Sequence, residues 1–227
     1  MMARKKENKL RYLSEHELFQ DFSASEMKQM ERKTTMFTCK PGRTFYNAGE
    51  TGEVLFILKE GSVHLYRLTP EGRKLIVATL TAGMIFGEMS LIGQKMYDTF
   101  AEAATPSRIC VMSRVDVMKL MLQKPQLALR LMGMMGRRLM GTERQMEQIA
   151  FSSVPTRLAN KLLELSGDKN EIKGYTHQEF ADMIGTYRET VTASLNEFKG
   201  QGLIKIGRKR VTILDREGLE EKADTYE

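Results

Sequence analysis

The sequence predicts an α+β chain whose parts follow one another as an antiparallel β-roll, one long helix, and a small helical unit closed by a strand hairpin. Three observations predict it. Between Thr35 and Met112 short apolar or alternating runs are cut by turn residues, as in TMFTC, Lys40-Pro41-Gly42, RTFY, Gly49-Glu50-Thr51-Gly52, VLFILKEG, SVHLYRL, Pro70-Glu71-Gly72 and KLIVATL. Punctuation about every eight to twelve residues between β-branched and aromatic runs is the mark of a sandwich or barrel. From Gln126 to about Phe151 apolar residues return at helical spacing. Beyond Ser152-Ser153-Val154-Pro155 the text restarts as helix, helix, and two short strands, LIKIG and RVTIL, around Arg208-Lys209.

The chain is 227 residues long, which suits two domains or one large one. With 28% charged and 41% apolar residues and no Trp, it has the composition of a globular protein with a real core. Two cysteines, Cys39 and Cys110, are too few for a disulfide framework, a four-cysteine iron–sulfur cluster or an all-cysteine zinc site, and no metal site is expected. As both lie in strand-like runs, they are expected to be buried structural thiols. No apolar run approaches the roughly 18 residues of a membrane span, and the first dozen residues, MMARKKENKLRY, lack a signal-peptide core. The expected location is therefore the cytoplasm, with no membrane partner.

Taken in order, residues 1–12 are expected to be a flexible basic tail carrying Arg4, Lys5, Lys6, Lys9 and Arg11. Residues 13–125 make the β-roll, whose glycines serve as turn residues except at Gly87, and end in a short helical segment, VDVMKLMLQ. Residues 126–151 form a coiled-coil helix: Ala128, Met132, Met135, Leu139, Thr142, Met146 and Ile149 alternate spacings of four and three. A stripe of that length, near 38 Å at about 1.5 Å per residue, is too apolar to stay wet, so a second copy or the chain's own barrel must cover it. Residues 152–227 form the terminal unit, with Pro155 in the first turn of PTRLANKLLELSG and Gly167 at its end.

Net charge is +6, which raises nucleic acid as a partner. Yet residues 152–227 hold 12 basic and 13 acidic residues, against 23 and 16 in residues 1–151, so charge alone does not single out a DNA-binding segment. Pattern does. A helical pair followed by a strand hairpin is the outline of a winged helix-turn-helix. In HQEFADMIGTYRETVTASL, Ala181 sits where two helices must approach, Gly185 at the turn, and Phe180, Ile184, Val191 and Leu195 face inward. Thr176 with Glu179, and Thr186 with Glu189, predict a capping box at the start of each helix. The second helix would present Arg188, Glu189, Thr190 and Thr192 to a major groove, where Arg188 can donate twice to guanine. Glu189 reads either as an acceptor for cytosine or as a capping carboxylate. Thr176, Gln178 and Lys209 are placed for phosphates.

Phe86-Gly87-Glu88-Met89-Ser90-Leu91 in the roll, the long helix, Pro155-Thr156-Arg157-Leu158-Ala159, Thr176-His177-Gln178-Glu179 and Tyr187-Arg188-Glu189-Thr190-Val191 stand in one order. In this the chain resembles the cyclic-AMP receptor protein/fumarate-nitrate regulator (CRP/FNR) superfamily of bacterial transcription factors, from about residue 15 to 215. The resemblance implies a cyclic-nucleotide-binding-like jelly roll, a dimerisation helix and a winged helix-turn-helix. It further implies a homodimer on palindromic double-stranded DNA, with recognition helices about 34 Å apart, and an activator that contacts RNA polymerase.

The effector pocket departs from that pattern. The resemblance implies a Gly-Glu pair that bonds a ribose, matched by Gly87 and Glu88, then an arginine with a hydroxyl residue that holds a cyclic phosphate. Here the second half reads Met96-Tyr97-Asp98-Thr99-Phe100, and no arginine occurs between Arg73 and Arg108. On the dimer helix Thr142 matches one of two hydroxyl residues and Glu143 replaces the other. The pocket candidates are thus Gly87, Glu88, Ser90, Tyr97, Asp98, Thr99, Thr142 and Glu143, and cyclic AMP is not the expected effector. No cofactor is expected, and control by abundance or by another small ligand both remain open. Haem would need an axial ligand, and His64 is the only histidine between Thr35 and Met112. A ligand-binding module that docks on protein is the competing reading. No Gly-rich phosphate loop, HExxH or GxSxG motif points to an enzyme.

Overall fold

The apolar runs of the N-terminal part pair into two four-stranded sheets. One has the order β1 (Thr34–Cys39), β8 (Ser107–Ser113), β3 (Val54–Glu60), β6 (Ile85–Phe86), and the other β2 (Thr44–Tyr46), β7 (Phe100–Ala103), β4 (Val63–Leu68), β5 (Lys74–Leu80). The computed structural model describes residues 9–50, 54–88 and 99–224. By their contacts they divide into two units, Met1–Leu68 with Val77–Leu139, and Thr69–Ile76 with Met140–Glu227.

Strand β3 explains why its run, VLFILKE, lacks polar alternation. Successive side chains point to opposite faces, and both faces are buried. Phe56 and Leu58 join Tyr46, Val63, Leu65, Phe86, Ala101 and Ile109 inside the roll. Leu55 and Ile57 turn the other way, with Cys110 and Met112 of β8, against a layer of helices. That layer is α1 (Lys9–Glu15), a 3-10 turn at Glu17–Phe19, α2 (Ala24–Lys33), α3 (Arg114–Gln123) and the first half of α4 (Pro125–Phe151). The expected flexible tail, 1–12, is corrected here from Lys9 onward: α1 buries Leu13 completely, and Lys9 Nζ donates to the carbonyls of Glu31 and Thr34 at 2.5 and 2.6 Å. Arg4, Lys5 and Lys6 lie outside the described residues. The β-roll range 13–125 likewise opens with helix, because Leu18, Phe19, Met27 and Met30 supply an apolar face too short to read as periodic.

Helix α4 has two apolar faces. Leu127 and Leu131 bury against the first unit's core with Met134 and Met135 partly buried beside them. Met132, Leu139 and Met146 are 66%, 60% and 68% exposed. Met135, expected in the seam, packs instead on its own roll, because it lies four residues after buried Leu131 and eight after Leu127, on the same face of the helix. The contacts assign Met140 onward to the second unit, so the boundary falls inside α4 and not at residues 151–152.

In the second unit α5 (Val154–Ser166) starts at the Ser153 cap with its proline in the first turn, and ends at Gly167. Then come β9 (Glu171–Lys173), α6 (His177–Ile184), α7 (Arg188–Gly200), β10 (Ile204–Gly207), β11 (Arg210–Ile213) and α8 (Arg216–Ala223). Strands β10, β11 and β9 form an antiparallel three-stranded wing, with β9 an addition to the expected hairpin. Phe180, Ala181, Ile184, Val191 and Leu195 are all buried, so the helical pair closes on the predicted residues.

Candidate nucleic-acid interface

Helix α6 begins with the predicted capping box: Thr176 Oγ1 accepts from Glu179 N at 3.2 Å, and the Thr176 N–H reaches Glu179 Oε2 at 2.7 Å. It ends where Gly185 adopts φ +67°, and the N–H groups of Gly185 and Thr186 both donate to the Ala181 carbonyl. The second expected box, Thr186 with Glu189, does not form. Tyr187 takes the N-cap position of α7 with no side-chain cap, because the helix starts one residue later than the sequence pattern suggested. Glu189 is consequently not a capping carboxylate, and it is exposed.

Thr176, His177, Gln178, Arg188, Lys209 and Arg210 line one groove of about 450 Å³, open between the start of α6, the start of α7 and the wing. Four of the predicted residues, Thr176, Gln178, Arg188 and Lys209, thus share a surface. Arg188 is exposed at the first position of α7, while Gln178 Nε2 is held by Asp182 Oδ1 at 2.7 Å. Lys209 is fixed through its backbone: it has φ +50°, and its carbonyl accepts from Gly174 N at 2.9 Å. Arg210 Nε pairs with Glu171 Oε1 at 3.1 Å, and Lys173 takes the same carboxylate. Tyr175 also lines the groove, and burial, with Glu179 and Glu164 adding, pushes its phenol up.

Thr190 is half-buried and its carbonyl accepts from the Ser194 hydroxyl. The Thr192 hydroxyl is engaged inside the motif, donating to the Arg188 carbonyl at 2.9 Å and meeting His177 Nδ1 at 2.9 Å. His177 was missed as a site residue. Residues 15 apart on two helices obey no local spacing rule, and only the docking of α6 on α7 joins them.

In the roll, Gly87 takes φ +79°, and a Cβ there would lie 2.9 Å from the Val54 carbonyl oxygen, so glycine is required. Glu88 is nine-tenths buried, and its Oε1 receives Arg138 Nη1 at 2.6 Å from α4, while Arg138 also donates to the Ile85 carbonyl. Glu88 Oε2 is buried with no hydrogen-bond partner among the described residues. Burial and the Glu88 charge push the Tyr46 phenol well up. Sequence reasoning named Glu88 but not Arg138, four residues before Thr142 on the same helix. Of the other pocket candidates, Thr99 is half-buried before β7, Thr142 and Glu143 are exposed on α4, and Ser90, Tyr97 and Asp98 lie outside the described residues. His64 sits on β4 between Val63 and Leu65, which face the roll interior, so its ring is on the sheet's other face, opposite Glu102. Both Cys39, partly exposed, and Cys110, buried, are free thiols raised by burial.

Two family sequence models match the chain, Cyclic nucleotide-binding domain over residues 36–124 and Crp-like helix-turn-helix domain over residues 156–222. The cAMP-activated global transcriptional regulator CRP of Pasteurella multocida is 31% identical over 75% of this chain and 85% of its own length. A CRP-like cAMP-activated global transcriptional regulator of Mycobacterium tuberculosis is 28% identical over 91% of this chain and 96% of its own. Among solved structures, a CRP/FNR family transcriptional regulator from Thermus thermophilus superposes with a TM-score of 0.74 at 29% identity, covering 85% of this chain and all of that one.

Proposed function

From a chain that belongs to the CRP/FNR family of transcription regulators, we propose a homodimeric, sequence-specific regulator that binds a palindromic promoter site and activates transcription through RNA polymerase in the bacterial cytoplasm. The observation that carries the reading is the groove between α6, α7 and the wing. It sets exposed Arg188 at the tip of α7 beside Lys209 and Arg210, with hydrogen-bonding side chains at the start of α6. A guanidinium on the leading turn of a recognition helix suits guanine O6 and N7, and the flanking cations suit phosphates. The exposed stripe Met132, Leu139 and Met146 supports the dimer, since a second copy of α4 is the simplest cover for it.

We also propose that cyclic AMP is not the effector and that DNA binding needs no added cofactor. Glu88 and Gly87 fit the ribose half of a nucleotide site, but the sequence that would meet the phosphate carries Asp98 and no arginine. The deciding experiment is selection from a randomised DNA pool by the purified protein with no small molecule present. Enrichment of a two-fold-symmetric site with half-sites about one helical turn apart is expected. Failure to enrich any sequence, with or without cyclic AMP, would remove the DNA reading in favour of docking on protein.

One observation favours a second reading of the roll. The orphan Glu88 Oε2 is a buried acceptor, so a small ligand offering a hydroxyl or amine hydrogen would satisfy it. A rise in melting temperature with such a ligand, absent in Glu88→Gln, would support it, and selection of the same DNA site at the same affinity without the ligand would argue against control by it.

A further inference from the structure

We infer that His177 is a proton-linked phosphate contact of this DNA interface, so that the protein takes up a proton at His177 Nε2 when it binds DNA. The inference rests on the DNA-binding reading above and adds a residue and a linkage to it. It begins with hydrogen counting. A carbonyl has no hydrogen to give, so the 2.9 Å contact between Thr192 Oγ1 and the Arg188 carbonyl takes the hydroxyl's only proton. Thr192 Oγ1 is then an acceptor towards His177, and the 2.9 Å contact with Nδ1 requires the hydrogen to be on the ring. Nδ1 is a donor in the neutral and charged forms alike, and Nε2 is where the ring can change state.

His177 lines the groove, and no hydrogen bond among the described residues engages Nε2. Neutral, Nε2 offers a lone pair, which a phosphate oxygen repels; protonated, it offers a charge-assisted N–H, which a phosphate accepts strongly. The charged groups that line the groove with it are Arg188 from α7, and Lys209 and Arg210 from the wing. The nearby acids are already committed: Glu179 to the Thr176 cap, Asp182 to Gln178, and Glu171 to Lys173 and Arg210. Tyr175, the remaining titratable group on the groove, is held as a neutral phenol by burial. A phosphate in the groove adds a negative charge that favours the protonated ring.

The test measures affinity of the full-length protein for its selected DNA site and for scrambled DNA, across a salt series, at about pH 6 and about pH 8. Uptake of one proton changes affinity by at most about tenfold per pH unit, and about tenfold tighter binding at the lower pH is expected overall. The slope of log affinity against log salt should also steepen by about 1 at the lower pH, because one more phosphate is neutralised. Both changes are expected on scrambled DNA too, and His177→Asn, which keeps a donor for Thr192 but does not titrate, should flatten them. Binding that weakens at the lower pH would make Nε2 a base acceptor and overturn the inference, as would a salt slope equal at the two pH values. If His177→Asn fails to fold, the wild-type slopes decide alone. Absence of DNA binding at either pH would instead overturn the DNA reading itself.

Discussion

Arg188 and Arg138 are the same residue type doing opposite work, and burial separates them. Arg188 is exposed with its guanidinium open to the groove, whereas Arg138 is folded onto a nine-tenths buried carboxylate. Arg188→Ala is therefore expected to cost about 1–3 kcal/mol against the selected DNA site and far less against scrambled DNA, measured by anisotropy at fixed salt. An equal loss on both would make it a phosphate anchor. Arg138→Met is expected to cost about 3 kcal/mol of folding stability, since it strands the Glu88 charge in the interior, and Glu88→Leu in the same chain should recover most of it. Denaturant melts of the single and double variants read this directly. Arg188 was legible because it stands in a local motif. Arg138 and His177 were not, because each acts on a partner brought near only by tertiary packing, 50 and 15 residues away in sequence.

At the scale of elements, the helices that mark their own ends were the legible ones. Pro155 and Gly167 bracket α5, and Thr176 with Glu179 and Gly185 bracket α6. The roll strands announced themselves by turn residues. Helix α2 did not stand out, although Ser23 and Glu26 form a full capping box there, because its short amphipathic face lies in a highly charged stretch. That box carries a pH prediction. The Ser23 backbone N–H, 2.7 Å from Glu26 Oε2, leads in holding the Glu26 carboxyl down at about 2, with Lys124 and the Ser23 hydroxyl adding to it. A carboxyl lowered on folding contributes stability that is complete above its ordinary range and fades as pH falls towards about 2. Melting temperature is thus expected to drop between about pH 5 and pH 2, and Glu26→Gln should make that drop shallower. The effect is small, because the group is at the surface.

For the whole molecule, the order of roll, long helix and winged motif was legible, while the division into units was not. A continuous helix gives no textual sign of where its contacts change hands, and they change at Leu139 and Met140. Leu139 lies at that point and is 60% exposed. In the homodimer proposed above, Leu139→Asp is expected to raise the dissociation constant by at least about 100-fold, as it would replace an apolar seam residue on each copy and set like charges together. Sedimentation at micromolar protein should then show monomers, and binding to a full palindrome should weaken to that of a half-site. The arrangement of the first sheet has a temporal consequence as well. Strand β8 lies between β1 and β3, yet it is the last of the three to leave the ribosome. Until Ser107–Ser113 has been synthesised, β1 and β3 have open edges where their shared neighbour belongs, each able to recruit a strand from another nascent chain. A message truncated before codon 107 therefore makes a sticky fragment and not a smaller roll.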